Sequence, residues 1–86
     1  MGAPDWIIEI LSPGNIARDT KIKFDLYEES GVLEYWIVFL GVKTVAAYVL
    51  ENGQYQLVGE YFTPGPIPVR PLPGLLLEWS EVFAEV

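Results

Sequence analysis

Apolar residues fall along the chain in short runs separated by turn-forming residues, and the spacing within the runs changes from one segment to the next. From Trp6 to Leu11 only Glu9 breaks an apolar run, and Ser12-Pro13-Gly14 stops it, which predicts a buried strand. From Asn15 to Ser30 the period lengthens: Ile16, Ile22, Leu26 and Tyr27 recur at roughly helical intervals, Asn15 is placed to cap the start, and Gly31 to close the end. Tyr35 to Leu40, Thr44 to Leu50 and Gln54 to Tyr61 read as three further strands. Glu51-Asn52-Gly53 supplies the positive-φ residues of a tight hairpin between the last two. Five of the seven prolines lie between Pro64 and Pro73, where they cannot donate to a ladder, so this stretch is expected to cross the surface in extended form. Trp79 to Ala84 is expected to form a short terminal helix.

A strand, a helix, a second strand and then a meander predict an α/β fold with a mixed sheet. The first two strands would run parallel, with the main helix on one face. Such a sheet needs cover on its other face as well, and only one long helix and one short one can be counted. Half the packing is therefore expected to be missing, so that the chain either self-associates as a homo-oligomer through a bare face or is a fragment of a larger core.

Size and composition narrow this picture. Eighty-six residues make one domain, 1–86, which buries only about 60% of the surface its unfolded chain exposes. Hydrophobic residues make up 51% and aromatics 14%, a composition that forms a core. The formal net charge of −7 argues against non-specific nucleic-acid binding unless the few cations are gathered in one place. Without Cys or His, acid–base or metal chemistry must run on carboxylates and lysines. The longest strongly apolar stretch, Tyr35 to Val42, is far short of the ~20 residues of a membrane-spanning helix. No signal peptide is visible, and a cytoplasmic location is the expectation.

Strand alternation puts Asp5, Ile7, Glu9 and Leu11 on one face, so Asp5 and Glu9 look like paired metal-binding carboxylates. Four residues at ~3.3 Å each separate them by about 13 Å, too far to share one ion, and Glu9 needs a partner from another strand. The plainer account of Glu9 is a charge paired with Lys21 or Lys23. In the helix, Asp19, Lys23 and Tyr27 form a stripe at intervals of four. It is either an ordinary surface ion pair or a cationic overhang above Glu9 that would stabilise charge on a phosphate. Trp36 and Trp79 lack interleaved basic residues and read as core or interface anchors, not base-stacking platforms.

The run Ala3-Pro4-Asp5-Trp6-Ile7-Ile8-Glu9-Ile10-Leu11-Ser12-Pro13 is followed by Asp19, Lys23, Tyr27, Gly31-Val32 and Glu34-Tyr35-Trp36-Ile37-Val38. Together these resemble the Uma-type restriction-endonuclease family of the PD-(D/E)XK nuclease superfamily. The likeness extends to the Asn52-Gly53 hairpin and to Leu72-Pro73-Gly74-Leu75. The resemblance implies a restriction-endonuclease-like core, a Mg²⁺-dependent phosphodiester hydrolysis, and DNA as partner. It matches Glu9 to the family's second acidic, metal-binding position. Leu11 stands where the superfamily usually has its lysine, and the match in this family is Lys23 on the helix, with Lys21 as fallback. Asp5 falls at the family's second Pro-Asp position, and the first metal-binding Asp belongs to a strand upstream of the matched region. Phe39-Leu40 stands where the family commonly has Asp-Pro. The resemblance thus implies an N-terminally truncated core with half a site, impaired or inactive as a nuclease. The alternative is a non-catalytic interaction module that self-associates.

Overall fold

The structure is a computed structural model that describes residues 5–12, 17–72 and 74–84, without the side chains of 17–19. The Asn15 cap, Ile16, Pro13-Gly14, Pro73 and the side chain of Asp19 lie outside the described residues. Strand β1 (Trp6–Leu11) leads to helix α1 (Ala17–Ser30), and three strands follow, β2 (Glu34–Phe39), β3 (Thr44–Glu51) and β4 (Gln54–Tyr61). They form one mixed sheet in the order β1-β2-β3-β4. β1 runs parallel to β2, and the other pairs are antiparallel, as the hydrophobic pattern predicts.

The ends of these elements follow from local chemistry. Gly31, at φ +84, closes α1: its N–H donates to the Glu28 carbonyl, and that of Val32 to the Tyr27 carbonyl. These two bonds satisfy terminal carbonyls that the helix leaves unpaired. The β3–β4 hairpin turns on Asn52 (φ 52) and Gly53 (φ 79), two adjacent left-handed residues of the kind a tight hairpin with matching twist requires.

The proline-rich stretch corrects the expectation of a surface crossing. β5 (Pro66–Pro68) pairs antiparallel with β6 (Leu76–Glu78), which leads into α2 (Trp79–Val82). The pairing continues beyond the short strands: Val69 N–H donates to the Leu75 carbonyl, and Trp79 N–H to that of Gly65. Ile67 and Val69 are fully buried. They pack with Phe83 against Trp36, Val38, Val45 and Ala47 on the sheet face opposite α1. Trp79 anchors this segment through its indole N–H, which donates to the Tyr61 carbonyl at 3.0 Å.

The second face is therefore covered, contrary to the expectation of missing packing, and a bare face no longer argues for self-association. The exception is β1, where Ile8 and Ile10 stay 41% and 59% exposed. The expected buried strand is thus half-buried on its helix side and, on the other face, only at Trp6, which packs on Trp36. No helix among the described residues is long and apolar enough to cross a membrane.

Candidate active site

Glu9 sits near the middle of β1, in register with Ile37 of β2, and shares the helix-facing side with Ile7 and Leu11. Across from it, α1 is fixed by an aromatic cluster. Phe24 meets Tyr48 and Tyr55 edge-on, each with ring centroids 5.1 Å apart, and Tyr27 meets Tyr35 edge-on at 5.2 Å. Aromatic pairs in this geometry each add about 0.5–1.5 kcal/mol beyond the area they bury. The far end of the helix is tied to β4. The Glu28 carboxylate accepts the Tyr55 backbone N–H at 2.7 Å, and the Tyr55 hydroxyl donates to the Val32 carbonyl at 2.8 Å.

With Phe24 and Tyr27 locked inward, Lys23 turns to the rim above β1. Its Nζ donates to Glu9 Oε2 at 3.1 Å, with side-chain exposures of 46% for Lys23 and 21% for Glu9. An ion pair this open contributes at most about 1 kcal/mol. Of the two lysines the sequence offered to Glu9, the structure brings Lys23. Lys21 is exposed and bound to Asp25 at 3.0 Å, one turn along its own helix. Asp5 is exposed just before β1, where its carbonyl accepts the Glu34 N–H, so it does not join Glu9. Tyr27 packs in the aromatic cluster.

Two features of this region were not singled out from sequence. Tyr35, on β2, is fully buried under α1, and its hydroxyl has no hydrogen-bond partner among the described residues. Burial pushes its phenol above the ordinary range, and the Glu9 carboxylate, then Tyr27, Tyr55 and Tyr48, push it further. Glu34, one residue earlier, faces the opposite side and is equally buried. Its carboxylate accepts the Trp36 indole N–H and the Arg70 backbone N–H, which ties the start of β2 to the proline-rich segment. The signal for Tyr35 was available, since alternation from Glu9 across a parallel ladder puts it on the same face. A buried Glu34 has no such signal, because acids are rarely buried unless paired.

For a divalent cation, Glu9 offers one hard oxygen donor. No group of three His, Cys, Asp or Glu residues that could hold a metal occurs among the described residues. One carboxylate suits an ion that keeps most of its water and takes phosphate oxygens from a substrate, as Mg²⁺ does, but it does not make a closed site. The arrangement offers an anionic oxygen and a half-exposed ammonium side by side at the rim of an aromatic interface.

A family model described as "Uma2: Putative restriction endonuclease" matches residues 1–80. Among solved structures, a "putative nuclease" from Anabaena variabilis superimposes with a TM-score of 0.75 at 24% identity. The match covers 98% of this chain and 46% of that one, so the chain spans about half the length of this solved relative, and the likeness speaks to the fold alone. Comparison with curated proteins gives no match.

Proposed function

The chain belongs to the Uma2 family, described as "putative restriction endonuclease", and from that premise we propose that Glu9 and Lys23 are the catalytic pair of a Mg²⁺-dependent phosphodiester hydrolysis acting on DNA. The observation that carries this reading is the 3.1 Å contact between Lys23 Nζ and Glu9 Oε2. Fourteen residues apart and on different elements, the two groups meet at a half-open rim where a substrate can reach both.

Glu9 would hold the cation through its carboxylate. Mg²⁺, when bound, supplies Lewis-acid stabilisation of the phosphoryl oxygens. Lys23 would exchange its carboxylate partner for a phosphate oxygen, where a fixed ammonium stabilises the negative charge that develops as the bond breaks. Three of the five cationic residues, Arg18, Lys21 and Lys23, belong to α1, which gives a chain of net charge −7 one element suited to meet a phosphate backbone. A second carboxylate would have to come from outside the described residues, and we expect little or no cleavage where it is absent. Asp5 lies outside β1 at its start and Lys21 is paired with Asp25 on another side of the helix, so neither replaces the pair.

A second reading rests on the exposed Ile8 and Ile10, on an edge strand that pairs only with β2. In that reading the domain is a non-catalytic interaction module that self-associates along β1. Calorimetric titration with Mn²⁺ separates the two. Binding by the parent chain that disappears in Glu9→Ala supports the hydrolase reading. Equal binding, or none, in both proteins overturns it, and sedimentation of a dimer would then favour the interaction module.

A further inference from the structure

Three buried polar atoms lack a hydrogen-bond partner among the described residues: Trp6 Nε1, Thr20 Oγ1 and Tyr35 Oη. Only Tyr35 belongs to a residue with no exposure at all. Its ring packs well against Phe24 at 6.1 Å, Tyr27 at 5.2 Å and Tyr55 at 5.9 Å, and a phenyl ring would keep those contacts. The hydroxyl adds nothing to this packing, and leaving it unpaired costs stability. Buried polar groups without partners are uncommon enough to ask what each is for.

The ladder places its neighbour. Tyr35 pairs with Ile7 and Glu9 with Ile37, so Tyr35 and Glu9 are diagonal neighbours on the helix-facing side. Strand spacing of ~4.8 Å and a rise of ~3.3 Å per residue set their Cα atoms about 8 Å apart, within reach of an aromatic and a long acidic side chain. The groups close enough for their charge to push the phenol upward are Glu9 from β1, Tyr27 from α1, Tyr55 from β4 and Tyr48 from β3, and Glu9 is the one carboxylate among them.

We propose that Tyr35 is a positioning residue, whose hydroxyl is the second donor to the Glu9 carboxylate and holds it in place when Lys23 turns away to a phosphate. This rests on the reading of Glu9 and Lys23 as a catalytic pair. While Lys23 occupies Glu9, the tyrosine donor is idle, which is the state described above. Once the lysine leaves, the hydroxyl keeps the carboxylate from swinging into solvent, the orienting role that outer groups play around metal-binding side chains.

The test is a thermal-unfolding cycle over the parent chain, Tyr35→Phe, Lys23→Met and the double variant, together with Mn²⁺ titration of the parent and Tyr35→Phe. With Lys23 present, Tyr35→Phe removes an idle buried hydroxyl and raises Tm by about 4 °C. In the Lys23→Met background the same change lowers Tm, because the hydroxyl has become the donor to Glu9. Lys23→Arg, which keeps the ion pair, restores the upward shift. Tyr35→Phe also weakens Mn²⁺ binding about 10-fold. An equal Tm shift in both backgrounds, or unchanged Mn²⁺ affinity, overturns the proposal. A sign change without any Mn²⁺ binding by the parent chain overturns the hydrolase reading and leaves the Tyr35–Glu9 link standing.

Discussion

The two faces of the four-stranded sheet are covered with different chemistry. Under β5, β6 and α2 the face is apolar, built from Trp36, Val38, Val45, Ala47, Ile67, Val69 and Phe83. Its one buried charge, Glu34, is satisfied by two N–H donors. Under α1 the face is rich in phenols, with Tyr35, Tyr48, Tyr55 and Tyr27 packed together with Phe24 and Phe39 around Ile37. There the buried Tyr35 hydroxyl goes unpaired, and the Glu9 carboxylate sits at the rim with a solvent-exposed lysine. A complete set of partners marks a group that holds the fold together. Incomplete sets occur on both sides among the described residues, at Trp6 Nε1 against the apolar face and at Tyr35 under α1, and of these Tyr35 is the one beside the proposed Glu9–Lys23 pair.

This contrast can be broken most forcefully at Trp36. Trp36→Ala should remove about 3–5 kcal/mol, enough to unfold much of an 86-residue domain in a chemical-denaturation series. If it costs less than about 1 kcal/mol, the C-terminal segment is not the cover that the structure depicts. Next, the two glutamates should behave as opposites. Glu34→Ala strands two buried N–H groups and should cost about 3 kcal/mol, whereas Glu9→Ala should cost under about 1 kcal/mol. Similar costs for both would mean that the number of partners does not distinguish the two glutamates.

A smaller effect sharpens the tyrosine side. Tyr55 is pushed up from 10.0 to about 12 by burial, then by the Glu28 carboxylate and Tyr27, and Tyr35 and Tyr48 are raised as well. These phenols stay protonated in the folded chain after the unfolded chain has lost its protons. Their contribution is therefore complete below pH 10 and is lost as pH climbs from 10 to about 12. Tm followed by circular dichroism should fall across that window, and less steeply in Tyr55→Phe. An equal slope in the variant would show that other groups govern alkaline unfolding.

Much of the molecule could be read from the chain. β1, α1 and the hairpin follow from hydrophobic period, a helix-closing glycine and Asn52-Gly53, because those signals are local. The proline-rich segment was misread because proline argues against a ladder. Yet Pro66-Ile67-Pro68-Val69 also alternates, and it was the alternation that decided which side chains turn inward. The site was half legible. Composition left Lys21 and Lys23 equally close to Glu9, and only the helical phase set by Phe24 and Tyr27 separates them, since two residues along a helix turn a side chain to the far side. The role of Tyr35 depends on register between two strands joined by a helix, which no single segment encodes.

The same two prolines bear on how the protein behaves in a crowd. Residues 65 and 69 exchange hydrogen bonds with the β6 side, so Pro66 and Pro68 turn their ring nitrogens outward. A strand arriving at that margin finds carbonyls but no N–H to answer its own, so the β5 edge of the small sheet is closed to cross-β growth. Fibre formation, if the protein is driven to it, has to start from β1, β4 or β6 instead. Of these, β1 presents Ile8 and Ile10 to the newcomer, so a lysine introduced at Ile10 is where solubility would be gained first.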